Sequence, residues 1–230
     1  MIRIGLFGAG GRMGKAIIGA AHGIADIVDE SPDAFIDFSA PAALKSNLDA
    51  AVAAGKPIVI GTTGLTLDHH AALDEAARAV PVLQAANMSL GVNILAHIVR
   101  ETAARLGPDW DIEILEMHHR HKADAPSGTG LLLGRAAAAG RGVDLDAVSD
   151  KARDGITGPR EEGHIGFAVM RGGSVAGDHQ VVFAGEGERI ELGHRAESRA
   201  IFAQGALKAA QWIVGKPAGR YTMDDVLGLS

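Results

Sequence analysis

The sequence predicts an α/β chain: an N-terminal Rossmann-like, doubly wound parallel sheet followed by a second, α+β substrate-binding and oligomerisation domain. Three observations predict it. Short apolar runs alternate with helical periodicity over the first 86 residues, the pattern of βαβ units. A glycine-rich turn joins the first apolar run to the first helix, where doubly wound folds take a pyrophosphate. After Asn87 the texture shifts to strand-like runs punctuated by glycines. The boundary is expected there, with a dinucleotide-binding domain over 1–86 and a second domain over 87–198.

Ile2 to Phe7 reads as a buried parallel strand, because it is a short, largely apolar run that ends in glycines. Met13, Ile17 and Ala20-Ala21 recur at helical spacing and predict a helix from about Gly11 to Ala21. A weak strand, Ile24 to Val28, is followed by Ser31-Pro32-Asp33 and a strand from Ala34 to Phe38. Ser39-Ala40-Pro41 opens an alanine-rich helix that ends at Gly55-Lys56-Pro57, and Ile58 to Ile60 is the next strand. A helix over Leu67 to Arg78 and a strand over Val80 to Ala85 complete the alternation. In the second part a helix (Val92 to Leu106) precedes a strand (Asp111 to His119), and a turn beginning at Asp124 opens a helix over Leu131 to Ala139. The charged stretch between Gly140 and Gly163 is expected to be a loop. Ile165–Met170, Gln180–Ala184 and Arg189–His194 read as an antiparallel meander, and a helix over Ser198 to Val214 closes the chain.

Composition narrows the function. With 47% hydrophobic and 22% charged residues the chain has ample material for a core. No apolar run has the length of a membrane span, and the N-terminus lacks a signal-peptide layout. Zero cysteines exclude disulfides, thiolate zinc sites and a cysteine nucleophile, so the cytoplasm is the expected compartment. A net charge of −6 and 4% aromatics argue against a nucleic-acid partner.

The candidate chemistry lies at four places. Gly8-Ala9-Gly10-Gly11-Arg12-Met13-Gly14 has glycines at 8, 11 and 14, strand before and helix after, and points to dinucleotide binding; a structural turn is the bland alternative. Asp29 is the candidate for the ribose hydroxyls, and the lack of a neighbouring Lys or Arg favours NADH over NADPH; a solvated surface acid is the alternative. Gly61-Thr62-Thr63 and Ala85-Ala86-Asn87-Met88 sit at strand ends, where a nicotinamide ring would lie. The densest signal is Glu116-Met117-His118-His119-Arg120-His121-Lys122. So many cationic groups are costly to assemble without an anion. On a continuous strand His119 and His121 would share one face, His118 and Arg120 the other. A zinc site from His119 and His121 lacks further ligands, so no metal is expected. The better reading is an anion-binding strand with a histidine proton carrier and an ammonium donor. Pro126-Ser127-Gly128-Thr129-Gly130 follows, and its helix start offers N–H groups and the Thr129 hydroxyl to a carboxylate, with Ser127 as a simple N-cap the alternative.

Together these motifs resemble the 4-hydroxy-tetrahydrodipicolinate reductase (dihydrodipicolinate reductase) family of diaminopimelate–lysine biosynthesis. The resemblance spans GAGGRMG at 8–14, IDFSAP at 36–41, VIGTTG at 59–64, AANMSLGVN at 85–93 and, most specifically, EMHHRHKADAPSGTG at 116–130. It implies an NAD(P)H-dependent oxidoreductase acting on a small cyclic dicarboxylate, assembled as a homotetramer, with the tail at 199–230 returning to the first domain. By position it makes His118 and Lys122 catalytic, His119, Gly128 and Thr129 substrate-binding, and Gly8 to Met13, Gly61 to Thr63 and Ala85 to Met88 cofactor-binding. The segment between the second strand and IDFS is much shorter than in longer members; Met117 and Gly130 depart from the family's usual small residue and alanine, and neither is expected to touch a functional group. Another NAD(P)-dependent semialdehyde or amino-acid dehydrogenase, or a non-catalytic dinucleotide sensor, are the rivals; neither needs HHRHK followed by SGT.

Overall fold

The computed structural model describes residues 1–229 and divides into two compact units, Met1–Leu90 with the tail from Arg199 onward, and Gly91–Ser198. No helix among the described residues is long and apolar enough to cross a membrane.

The first unit opens β1 (Ile2–Phe7), α1 (Arg12–Ala20), β2 (Ala25–Ile27) and β3 (Ala34–Asp37). A short 3-10 turn at Pro41–Ala43 leads into α2 (Leu44–Ala54), then β4 (Ile58–Ile60), α3 (Leu67–Ala76) and β5 (Pro81–Gln84). β1 pairs in parallel with β2 on one side and β3 on the other, so the order reverses at β1 and the ligand crevice of a doubly wound sheet lies beyond the ends of β1 and β3. The six-residue gap between β2 and β3 holds no helix. Val28 and Asp33 donate their N–H groups to the carbonyls of Ile4 and Arg3, so the link crosses directly over β1. Gly5 makes room for it: a Cβ there would lie 3.3 Å from Pro32 Cγ and 2.7 Å from the Phe35 ring.

In the second unit α4 (Leu90–Arg105) precedes β6 (Asp111–His118), α5 (Gly128–Arg141), α6 (Leu145–Val148), β7 (Ser149–Asp150), β8 (Ile165–Arg171), β9 (Gly177–Gly185) and β10 (Glu188–Ala196). The sheet order is β10-β9-β6-β8-β7. This corrects the expected meander: β9 and β10 do form an antiparallel hairpin, but β6 inserts between β8 and β9 and runs parallel to β8. Local turn signals cannot reveal an insertion that depends on which strand has the best apolar partner face. The stretch expected to be a loop carries α6 and β7, and Arg153 and Arg160 tie it down on the Glu113 carboxylate at 2.9–3.1 Å. β6 alternates strictly: Ile112, Ile114, Glu116 and His118 are buried, and the two isoleucines pack with Leu95, Val99, Leu133 and Phe183 beneath α4 and α5. The opposite face carries Leu115, Met117 and Met170, lies outside that core, and leaves Met170 half exposed.

The tail adds α7 (Ala200–Ile213), β11 (Gly219–Tyr221) and α8 (Met223–Leu227) to the first unit. The last two were not anticipated: β11 is three residues long and lies parallel to β5, completing a sheet of order β11-β5-β4-β3-β1-β2. α7 packs with α1 over Ile4, Ile36, Val59 and Leu83, while Leu44, Leu48, Leu73, Ile58, Ile60 and Val82 form a separate core on the other face. Both faces are covered, as parallel strands require.

Candidate active site

The glycine turn after β1 has a physical explanation at each end. Gly8 has φ +83°, and a Cβ there would lie 2.6 Å from the Phe38 carbonyl oxygen, so the turn sits against the end of β3. A Cβ on Gly14 would meet the Gly8 oxygen at 2.3 Å, so α1 starts hard against the turn. Gly10 faces open space. Gly11 caps α1 without a side-chain hydrogen bond, and no acidic residue occupies the first turn. An uncapped helix start beside open backbone fits the pyrophosphate of a dinucleotide. Ala9, Arg12 and Met13 complete this turn; Arg12 is exposed, and Met13 leans on the core.

Gly61 opens the turn after β4, where a Cβ would overlap the Phe38 ring at 2.2 Å. Thr62 is buried and donates to Asp37 Oδ1 at 3.3 Å, whereas Thr63 is exposed. Asp37 is a hub that sequence reasoning missed. It is fully buried and also accepts from the Ser39 N–H and hydroxyl (2.8 and 2.6 Å) and from Asn47 Nδ2 at 3.1 Å, pinning the ends of β3 and β4 together. The signal was present: an acid two residues before a serine at a strand end is an Asx turn. Ala85 follows β5, Ala86 is exposed, and Asn87 accepts the Ser89 N–H at 2.9 Å. Met88 is 2% exposed and belongs to the core, with its carbonyl packed against Gly205. Asp29 lies exposed on the crossover link, and the Arg3 guanidinium donates to the neighbouring Glu30 carbonyl at 2.8 Å. The expectation that no cation lies near this acid is thereby corrected: β1 and the link are remote in sequence and adjacent in space.

In the second unit the cationic run does not continue as a strand. β6 ends at His118, the His119 N–H bonds the Val175 carbonyl at 2.8 Å, and the Lys122 N–H returns to the His119 carbonyl at 3.1 Å. The expected alternation of faces therefore stops at His118. His119 and His121 are tilted neighbours, 6.3 Å between ring centroids, on this turn. The cost of the crowded cations is met partly by carboxylates. Lys122 Nζ contacts both oxygens of Asp124 at 2.8 and 2.9 Å, and the ammonium holds the Asp124 carboxyl below the usual carboxylate range. Arg171 on β8 donates to the carbonyls of Lys122 and Asp124 at 3.3 and 2.5 Å and fixes the turn.

α5 starts at Gly128, three residues earlier than expected, because Ser127 is its N-cap and accepts the Gly130 N–H at 3.0 Å. Gly128 and Thr129 are thus the first two helical residues, the place for a carboxylate. Gly130, expected to touch no functional group, does: besides that bond, a Cβ there would lie 2.9 Å from Glu116 Oε2. Glu116 is the second hub missed from sequence. Its side chain is wholly buried, and it accepts the Ser127 N–H at 2.8 Å and the Ser127 hydroxyl. Its phase with Ile112 and Ile114 on β6 already placed it inward.

His118 is buried 4.0 Å from Glu116 Oε2 (Nδ1) and packs edge-on against His179 of β9, centroids 5.0 Å apart. Burial lowers the His118 pKa; Glu116 opposes this, while Lys122 and Arg171 reinforce it. Burial, with the cationic neighbours behind it, pushes His179 down to about 3, so it is a neutral imidazole at physiological pH. Glu116, His118 and His179 present ligand atoms within 4.8 Å of one another. Both Glu116 oxygens are engaged by Ser127, and Lys122 and Arg171 act on His118.

A family model for the C-terminus of dihydrodipicolinate reductase matches residues 91–227, and one for its N-terminus matches residues 22–88. The chain belongs to the dihydrodipicolinate reductase family. It is 58% identical to 4-hydroxy-tetrahydrodipicolinate reductase of Zymomonas mobilis, over 99% of this chain and 98% of that protein. It is 46% identical to the same-named protein of Caulobacter vibrioides, over 99% and 97%. Among solved structures, dipicolinate-bound dihydrodipicolinate reductase from Paenisporosarcina shares the fold, with TM-score 0.77 and 21% identity over 96% of this chain and 97% of that one. The family places the chain among NAD(P)H-dependent oxidoreductases, and the glycine turn after β1 fits that cofactor class.

Proposed function

We propose that this chain reduces 4-hydroxy-tetrahydrodipicolinate to tetrahydrodipicolinate in diaminopimelate and lysine biosynthesis, with NADH the favoured cofactor because Asp29 is exposed to a ribose while the nearby Arg3 guanidinium is engaged by the Glu30 carbonyl. The observation that carries this reading is the single cluster in the second unit in which Glu116 connects buried His118 to the Ser127-capped start of α5, with Lys122 on the adjoining turn. A dinucleotide would be held by Gly8, Ala9, Gly10, Gly11, Arg12 and Met13 at its pyrophosphate, by Gly61, Thr62 and Thr63 and by Ala85, Ala86, Asn87 and Met88 along its nicotinamide end, and by Asp29 at the ribose. When bound it supplies a hydride. His119, Gly128 and Thr129 hold the carboxylates of the dicarboxylate ring, a ligand class consistent with the dipicolinate named in the Paenisporosarcina structure. His118 carries the proton lost from the adjoining ring carbon to the 4-hydroxyl oxygen, so that the C–O bond breaks, water leaves and a ring C=C bond forms. Lys122 delivers a proton to the ring nitrogen as hydride addition pushes an electron pair onto it. Asp124 holds the Lys122 side chain in place through contacts at 2.8 and 2.9 Å.

A homotetramer belongs to the same reading: the open face of the second sheet sets Leu115, Met117 and half-exposed Met170 among Glu113, Asp178, Gln180 and Arg195, a mixed surface that a second copy could cover. The proposed compartment is the cytoplasm. The test is loss of reduced-nicotinamide absorbance with substrate generated from pyruvate and aspartate semialdehyde. Turnover that depends on both components is expected. No turnover with either cofactor would refute the reading.

A further inference from the structure

The Glu116 carboxylate is placed where two parts of the site meet. It projects from β6 in phase with His118, so the strand's own pleat sets both groups on one face. Oε1 accepts the Ser127 N–H at 2.8 Å, and Oε2 accepts the Ser127 hydroxyl, which in turn accepts the Gly130 N–H at 3.0 Å. The first turn of α5 is therefore tied to the middle of the sheet by one carboxylate. The same Oε2 lies 4.0 Å from His118 Nδ1 and 3.7 Å from His179 Nε2. His118 Nδ1 is buried and makes no hydrogen bond. A shift of about 1 Å would close the gap to a charge-assisted bond.

We propose that Glu116 is the positioning residue of this site, holding the His118 imidazole and the carboxylate-binding start of α5 as one unit. The inference rests on the reading of His118 as proton carrier and of Gly128-Thr129 as substrate contact. Around His118 stand Glu116 on its own strand, Lys122 and Asp124 on the following turn, Arg171 on β8 and His179 on β9. Of these, Glu116 is the only wholly buried carboxylate, so its charge is least screened by solvent. The carboxylate does two separable things. Its charge favours the protonated imidazole, and its two hydrogen bonds hold the helix start. Glu116→Gln removes the first while keeping the shape and an acceptor for the Ser127 N–H. Ser127→Ala loosens the second and frees Oε2 to turn toward His118.

Titration of the His118 ring by NMR on histidine-labelled protein, assigned by His118→Gln, reads the charge effect without turnover. Glu116→Gln is expected to move the midpoint down by about one pH unit, the low end for loss of a nearby opposite charge. The His118 limb of the kcat/KM profile should follow it. Ser127→Ala is expected to move the midpoint up and to raise KM for the dicarboxylate about tenfold. A Glu116→Gln midpoint within 0.2 unit (roughly the precision such shifts require) overturns the proposal. If Glu116→Gln does not fold, Ser127→Ala decides: a midpoint that stays or falls overturns it. Retention of most activity by His118→Gln would sink the catalytic reading instead, and the titrations would still judge the positioning.

Discussion

Acid should destabilise the second unit through one identifiable residue. His179 is 6% exposed, flanked by His118 and His194, and its pKa falls from 6.5 to about 3 on folding. The unfolded chain therefore binds the proton more tightly, and the sign follows: stability is intact above pH 6.5, declines as pH falls below it, and stops declining near pH 3. Between pH 7.5 and 5.0 the cost works out at about 2 kcal/mol for this group alone. The assay is urea unfolding at both pH values, followed by Trp110 fluorescence, since Trp110 packs on the core of this unit. His118 and His194 are lowered by burial too and add to the slope in any variant that keeps them. The decisive quantity is the difference in pH-dependent loss between the natural chain and His179→Gln, whatever their absolute stabilities. The variant should lose about 2 kcal/mol less over this interval. Equal losses would refute the buried, neutral histidine, and with it the packing drawn around Glu116.

Lys122→Ala should lower kcat by about 10²–10⁴-fold while leaving the NADH Kd from calorimetry unchanged; a variant with near-normal kcat would remove Lys122 as proton donor. Gly8→Ala forces a Cβ onto the Phe38 carbonyl at positive φ and should cost about 1–3 kcal/mol and weaken dinucleotide binding, measured by thermal shift and calorimetry. NADH should bind at least as tightly as NADPH, and Asp29→Ala should narrow any gap. Strong NADPH preference would place the Arg3 guanidinium, near the same link, in the ribose contact instead.

Much of this was legible in the sequence because it depends on local pattern. Apolar runs and glycine punctuation found β1, β3, β4 and the helices between them, since buried parallel strands and amphipathic helices have different periods. β4 emerged although it is three residues long, because all three are apolar and buried; β11 (Gly219-Arg220-Tyr221) did not, because it is no apolar run and its strand character comes from pairing with β5. The candidate residues could be named from residue types alone: imidazoles and an amine in one run, then a serine-capped helix start.

What tertiary structure decided is which of those groups meet. Sequence order cannot tell that β6 lies between β8 and β9, so it could not bring His179, sixty-one residues beyond His118, edge-on against it (179 − 118 = 61). Nor could it see that Arg3 reaches the link carrying Asp29, or which remote donors, Asn47 and Thr62 for Asp37 and Ser127 for Glu116, gather on the two buried acids. Whether a carboxylate is a solvated charge or a buried organiser depends on what covers it and which donors face it. Both are set by long-range packing, which a linear chain encodes only in sum.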